Sequence, residues 1–304
     1  MESISIDIGY GSTKVSYSGK VVQVPTAVAF STDVGMSVGD NKNVYEYKGD
    51  SYIVGKEAIN SAFDTTSFNF IKDYAGLIIY HILSKFEDTD FDRPIQVNTG
   101  LAITDYGRRQ EFLDAISVIE VDGRTIHIDA TCVPQGAGIA IDWTTNNNNG
   151  EYPELLTVID IGFNTVGLIC FEDGRPVKSN IKGFPGAGVT TIVAPLKDYL
   201  ENTYSMKYTT QEALKILKKG KYKFNGEDQP EITTKIEEFK RKFIKTLFNS
   251  ILVSEKKLLA TSDAVVIGGG GAYFIESVPT PPNVVLANSP YEFSNVSGYS
   301  IGGK

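Results

Sequence analysis

The sequence contains few of the residues used in disulfide, zinc and histidine chemistry. Its 304 residues include two cysteines, Cys132 and Cys170, each within an apolar, strand-like segment. We therefore expect two small buried side chains and no disulfide. The two histidines, His81 and His127, are far apart and have no second ligand at metal-binding spacing. This spacing disfavours both a zinc site and a Ser-His-Asp triad.

Long apolar runs and an excess of positive charge are also lacking. No apolar run reaches the roughly 18 residues needed to cross a bilayer, and the N-terminus has no basic segment followed by an apolar stretch. We therefore expect a cytoplasmic protein without a membrane partner. The formal net charge of -8 opposes direct binding to a nucleic-acid backbone, so an adaptor protein would be needed to reach DNA.

Glycine, in contrast, is abundant, with 29 residues that cluster after strand-like runs. The alternating run 3–8 breaks at Gly9-Tyr10-Gly11 and resumes at 13–17, which predicts a β-hairpin. The run 155–161 repeats this pattern, and a third apolar run, 265–267, ends in four glycines. Glycine at these positions lets the backbone approach a ligand closely.

The first glycine turn has the residues of an anion site. It lacks the Walker A spacing, and a strand instead of a helix follows Lys14. Gly9 and Gly11 could turn N–H groups toward an anion, with Ser12 and Thr13 as hydroxyl donors and Lys14 as a cation. Asp7 beside an anion makes sense if hydrated magnesium lies between them. An ordinary β-hairpin remains the alternative for this motif taken alone.

The remaining pattern predicts an α/β protein. Apolar spacing predicts helices near 71–82, 106–118, 137–143, 190–201, 210–218 and 231–257. The stretch 144–153, with four consecutive asparagines, is interpreted as an exposed loop at a domain boundary. A lysine run is interpreted as a solvated helix end, with contact to an acidic partner as the alternative; it comprises Lys215, Lys218, Lys219, Lys221 and Lys223.

Taken in order, these motifs resemble those of the actin, Hsp70 and sugar-kinase superfamily. Within it, the chain is most similar to actin-like ATPases of the ParM/StbA plasmid-segregation and archaeal types. Segments 7–14 and 160–165 resemble the two phosphate loops, and 268–272 resembles the adenosine loop. Segment 134–138 resembles the start of the first connecting helix, and 290–299 resembles the second connecting segment.

The resemblance implies an α/β, actin-like (ribonuclease H-like), duplicated two-domain fold with a nucleotide cleft between the domains. Domain I would span 1–150, with a small excursion at about 20–65. Domain II would span 151–290, with an excursion at about 205–230, and residues 291–304 would return to domain I.

The resemblance also implies site residues. Gln135, Asp7 and Asp160 would be catalytic, and the two aspartates would hold Mg²⁺ through water. The expected nucleotide-binding residues are Gly9, Tyr10, Gly11, Ser12, Thr13, Lys14, Gly162, Phe163, Asn164, Thr165, Gly268, Gly269, Gly270, Gly271 and Ala272.

The implied function is slow hydrolysis of Mg-ATP, with GTP as a possible substitute, coupled to self-association into cytoskeletal filaments for plasmid or DNA segregation. A small-molecule kinase of the same fold is one alternative. A nucleotide-switched factor that never polymerises is the other, because such proteins commonly carry a further helix after the second connecting segment, and the sequence up to Lys304 has none.

Overall fold

The structure is a computed structural model that describes residues 3–33, 43–87 and 89–303. The predicted excursion at 20–65 therefore falls partly outside the described residues, at 34–42. Among the described residues, no helix combines the length and the apolar character needed to cross a membrane.

The first sheet has nine strands and begins with the predicted hairpin. Strands β1 (Ile4–Ile8) and β2 (Ser12–Tyr17) are antiparallel and place Asp7 opposite Lys14. Alternation puts the three isoleucines of β1 on one face and Ser5 and Asp7 on the other, and all five residues are buried. In spatial order, the strands are β3 (Lys20–Pro25), β2, β1, β7 (Ile95–Leu101), β9 (Arg124–Pro134), β8 (Val118–Val121), β5 (Val44–Tyr47), β6 (Asp50–Val54) and β4 (Val28–Phe30).

The second sheet repeats the arrangement of the first five of these strands. In each sheet, three successive antiparallel strands are followed by two strands that are added in parallel. The order β3-β2-β1-β7-β9 therefore has an equivalent in the second half. The duplication predicted from the two glycine turns is therefore confirmed. The strands, in spatial order, are β12 (Arg175–Pro185), β11 (Thr165–Glu172), β10 (Leu155–Ile161), β15 (Ala264–Gly268) and β16 (Val284–Leu286). A short ribbon pairs β13 (Lys223–Phe224) with β14 (Glu227–Asp228).

Helices cover the sheets, and two large apolar cores result, one with each sheet. The helices are α1 (Phe68–Leu83), α2 (Arg109–Ser117), α3 (Ala137–Asn147), α4 (Thr190–Tyr204), α5 (Thr210–Lys219), α6 (Pro230–Leu247), α7 (Lys256–Thr261) and α8 (Ser294–Gly302). On α6, an apolar face of Ile232, Ile236, Phe243 and Leu247 packs into the core that lies with the second sheet, as helical spacing predicts. The predicted domain limits near 150 and 290 stay a prediction.

Two details differ from the sequence analysis. Helix α3 continues to Asn147, into the predicted loop, because Asn146 and Asn147 donate from their side-chain amides to carbonyls four residues back. The predicted helix 231–257 is interrupted, since α6 gives way to a π-helical turn at Phe248–Leu252 before α7 begins. Neither interruption nor extension is visible in apolar spacing, which depends on the core face alone.

Helices α3 and α8 cross in direct backbone contact. A Cβ atom added to Gly298 would overlap the backbone of Gly138, and one added to Gly138 would lie 2.8 Å from Asn295 Cα. Only glycine permits this approach. The start of α3, which directly follows β9, is thereby held against α8.

We expect Gly298→Ala to destabilise the protein, although alanine is the better helix former. The added methyl group overpacks the crossing, which typically costs about 1–3 kcal/mol. Urea unfolding measures the change. Gly107→Ala is the control, because a Cβ there meets nothing within 4 Å; equal stability of both variants would contradict the crossing described above.

Candidate functional site

A cavity of ≈ 390 Å³ lies between the two sheets, where the glycine turns of both hairpins meet. The turns are brought together because the two halves repeat one topology and face each other. Most of the residues expected to contact a nucleotide line this cavity; they are Asp7, Gly9, Tyr10, Gly11, Ser12, Lys14, Gln135, Asp160, Gly162, Phe163, Thr165, Gly269 and Gly270.

The other five expected residues form the walls behind the cavity instead of its surface. The hydroxyl of Thr13 is buried 2.9 Å from that of Thr26. Asn164 donates to the Thr66 carbonyl at 3.0 Å, and the Gly271 N–H donates to the Ile161 carbonyl at 2.8 Å. The remaining two, Gly268 and Ala272, are buried at the end of β15 and just after it.

Asp7 is held from two sides on the first wall. Its carboxylate is buried, with Oδ1 accepting a hydrogen bond from Gln135 Nε2 at 2.7 Å and Oδ2 lying 3.6 Å from Lys14 Nζ. The backbone N–H of Gln135 donates to the Leu101 carbonyl at 2.8 Å, which fixes the glutamine between β7 and α3. In the described part of the chain, Gln135 Oε1 has no hydrogen-bond donor and is left free to accept one.

Asp160 is held on the second wall by Asn295. Asn295 Nδ2 donates to Asp160 Oδ2 at 2.7 Å, while its Oδ1 accepts the Gly136 N–H at 2.8 Å. One buried side chain of α8 thus ties the second aspartate to the start of α3. The sequence analysis placed Asn295 in a connecting segment and missed this contact, which no local pattern encodes.

The two carboxylates are close enough to affect each other. Burial raises the pKa of Asp160 to about 6, and the negative charge of Asp7 adds to the shift, while the Asn295 hydrogen bond and Lys14 oppose it. A cation placed between the two carboxylates would therefore be stabilised.

The donor set fits magnesium held through water. Magnesium prefers oxygen ligands, keeps several waters and is commonly bound by one or two carboxylates together with substrate phosphates. The described residues contain no group of three or more His, Cys, Asp or Glu side chains that could hold a metal by themselves. Asp7 and Asp160, without a third protein ligand, match that hydrated mode.

The cavity is also lined by residues that the sequence analysis missed. Helix α5 presents Leu214, Leu217 and Lys218, and they are joined by Tyr273 and Glu292, whose side chains are hydrogen-bonded at 2.5 Å. Lys218 was interpreted as part of a solvated helix end, and it lines the cavity while its side chain remains exposed. Its spacing of four from Leu214 was the signal for a shared helix face.

Residues 5–138 match the family model described as the N-terminal domain of actin-like proteins. No curated protein matches the sequence.

Solved structures match over the whole chain. A ParM of a 15-stranded filament from Clostridium botulinum has 20% identity and a TM-score of 0.77, with 100% of this chain and 99% of that chain covered. The archaeal actin homologue Ta0583 in complex with ADP has 19% identity and a TM-score of 0.72, with 100% and 99% covered. The Alp12 filament structure has 19% identity and a TM-score of 0.62, with 99% and 98% covered. These matches confirm the predicted resemblance to actin-like proteins and the actin-like fold.

We expect Asp160→Asn to stabilise the nucleotide-free protein at neutral pH. A carboxyl group whose folded-state pKa is raised from 3.8 to about 6 favours folding at low pH and loses that contribution as the pH rises through about 6. The neutral amide avoids burying the charge, so the gain at pH 7.5 should be on the order of 1–3 kcal/mol.

Urea unfolding at pH 7.5 and at pH 5 checks this expectation. The gain should shrink at pH 5, where the wild-type carboxyl is largely protonated. Asp114→Asn, on the exposed face of α2, is the matched control and should show no such pH dependence. A loss of stability in Asp160→Asn at pH 7.5 would mean that the buried charge is compensated.

Proposed function

We propose that this chain, which has the actin-like fold, binds and slowly hydrolyses a magnesium nucleoside triphosphate and assembles into filaments. The observation that carries the proposal is the pair of Asp-x-Gly hairpin turns, one from each half, whose carboxylates Asp7 and Asp160 face one cavity. ATP is the expected nucleotide, and GTP is the alternative.

Both polar and apolar side chains line the cavity, which suits a nucleotide. Lys14, which lies beside Asp7, and Ser12 would neutralise and bind a polyphosphate. Leu214, Leu217 and Tyr273 also line the cavity and offer apolar surface to a base and its sugar. Mg²⁺, held by Asp7 and Asp160 through water, would supply charge neutralisation at the phosphates.

Gln135 is proposed to orient the attacking water. Its Nε2 donates to Asp7, so the amide is fixed with its Oε1 available to accept a hydrogen bond from water. A neutral amide is a poor base, so it contributes orientation without taking the proton fully. Positioning and charge neutralisation then supply most of the rate, and slow turnover is expected.

Self-association is supported by the filament-forming proteins among the matching structures. A ligand that contacts both halves can favour one relative arrangement of them, by as much as its affinities for the two arrangements differ. Head-to-tail contacts that do not close into a ring generate filaments, and hydrolysis within the filament would weaken those contacts. We further propose a cytoplasmic location and a role in plasmid or DNA segregation through an adaptor protein.

The proposed division into domains follows the same scheme. Domain I would comprise 1–150 and 291–304, and domain II would comprise 151–290. The packing of α8 against β1, β2 and β7 supports the return of the last residues to domain I.

We expect Gln135→Ala to lower the rate of phosphate release from Mg-ATP by about tenfold or more, because the water loses its acceptor. Nucleotide affinity should change much less, since the phosphates contact the hairpins. Single-turnover hydrolysis and calorimetry separate the two quantities. The control is Gln110→Ala on the exposed surface of α2; turnover at the wild-type rate in Gln135→Ala would exclude the proposed role.

Sedimentation tests filament formation. The protein should pellet with Mg-ATP and remain in the supernatant with EDTA, while calorimetry should show magnesium-dependent nucleotide uptake. Uptake without a pellet would favour the non-polymerising factor. Phosphate transfer to an added hydroxyl compound would favour the kinase, and absence of any magnesium-dependent uptake would falsify the proposed site.

A further inference from the structure

The first hairpin turn is contacted by two side chains from the other half of the protein. Gln211, in the first turn of α5, is buried, and its Nε2 donates to the Gly11 carbonyl at 3.2 Å and to the Thr26 carbonyl at 3.1 Å. The ring of Phe163 covers Gly11 so closely that a Cβ there would lie 2.8 Å from it. Gly11 is therefore enclosed by the second half.

The position of Gln211 is fixed by the start of its helix. Thr209 caps α5 through a reciprocal pair of hydrogen bonds with Glu212, a capping box. The hydroxyl of Thr209 also donates to the Ile59 carbonyl in the first half at 2.7 Å. The same hydroxyl group of Thr209 thus caps the helix and bonds to the first half. The first turn of α5 is therefore anchored to the first half two residues before Gln211.

The carbonyl groups of the turn are held in sequence. Thr26 Oγ1 donates to the Gly9 carbonyl at 2.6 Å, and Gln211 donates to the Gly11 carbonyl. In a planar trans peptide, the carbonyl and the following N–H point in opposite directions. Fixing these two carbonyls therefore fixes the direction of the N–H groups of Tyr10 and Ser12, two residues that line the cavity.

These two anchors have different origins. Thr26 belongs to the same half as the turn, so its bond to Gly9 is present whatever the other half does. Gln211 belongs to the second half, so its bonds exist only while α5 lies against the hairpin. The Gly11 carbonyl therefore has two sources of support, the pairing of Ser12 with Pro25 in the first half and the amide of Gln211, and the second is lost when the halves separate.

We propose that Gln211 is a positioning residue that completes the anion-binding turn only when the two halves are closed on each other. The role of the turn in binding phosphate rests on the proposed function, whereas the dependence of its backbone on Gln211 rests on the observed hydrogen bonds. Closure then does two things at once: it encloses the cavity, and it orients the Ser12 N–H. A separated second half would leave a turn with weaker affinity for an anion.

Hydrogen exchange on nucleotide-free protein tests the structural part. Gln211→Met keeps the side-chain length and removes both donors, and exchange in residues 9–14 should rise by about tenfold or more. Exchange in the distant strand β12 should stay unchanged. Gln110→Met, on the exposed face of α2, is the matched control. If Gln211→Met fails to fold, Gln211→Asn takes its place, because the shorter side chain withdraws the amide from both carbonyls, and exchange in residues 9–14 should again exceed that of the wild type.

Release of a fluorescent ATP analogue tests the functional part. The variant should release it on the order of tenfold faster than the wild type or the control, while single-turnover hydrolysis of bound nucleotide changes less. Wild-type exchange in residues 9–14 in Gln211→Met would overturn the inference. Faster exchange with equal release would also overturn it, and failure of the wild type to bind the analogue would instead count against the proposed function.

Discussion

Two buried carboxylates in one cavity are the constraint on which the rest of the site depends. Asp7 and Asp160 come from different halves, and their mutual repulsion together with burial makes ionisation of Asp160 unfavourable. Each is held by an amide donor, Gln135 for Asp7 and Asn295 for Asp160. Repulsion between the two carboxylates therefore destabilises the empty cavity, and a cation placed between them would relieve that repulsion.

The two amides belong to one connected set of contacts. Gln135 and Gly136 are consecutive, so the residue that holds Asp7 is covalently joined to the N–H that holds Asn295. Glycine at the crossing of α3 and α8 lets those two helices approach closely enough for the contact to form. Both aspartates are positioned from the same point, where the chain passes between the halves.

In the proposed function, a ligand held by both halves would favour the arrangement in which they lie together. Gln211 donates a hydrogen bond to the first turn, and Leu214 and Leu217, three and six residues later on the same helix, line the cavity. The affinity of a ligand that contacts both α5 and the turn would depend on the distance between them. This is the kind of differential contact through which a nucleotide can change a subunit's shape.

The sequence by itself determined the repeated hairpins, most helices and the residues of the turns, because alternation, apolar spacing and glycine are local signals. It predicted Asp7, Asp160 and Gln135 on one site from a resemblance to actin-like proteins. Only the tertiary structure decided that Asn295, Gln211 and Lys218 belong to that site. Where hydrogen bonds are involved, their partners lie 135 to 200 residues away, and contacts over such separations depend on how the halves pack, which no local pattern records.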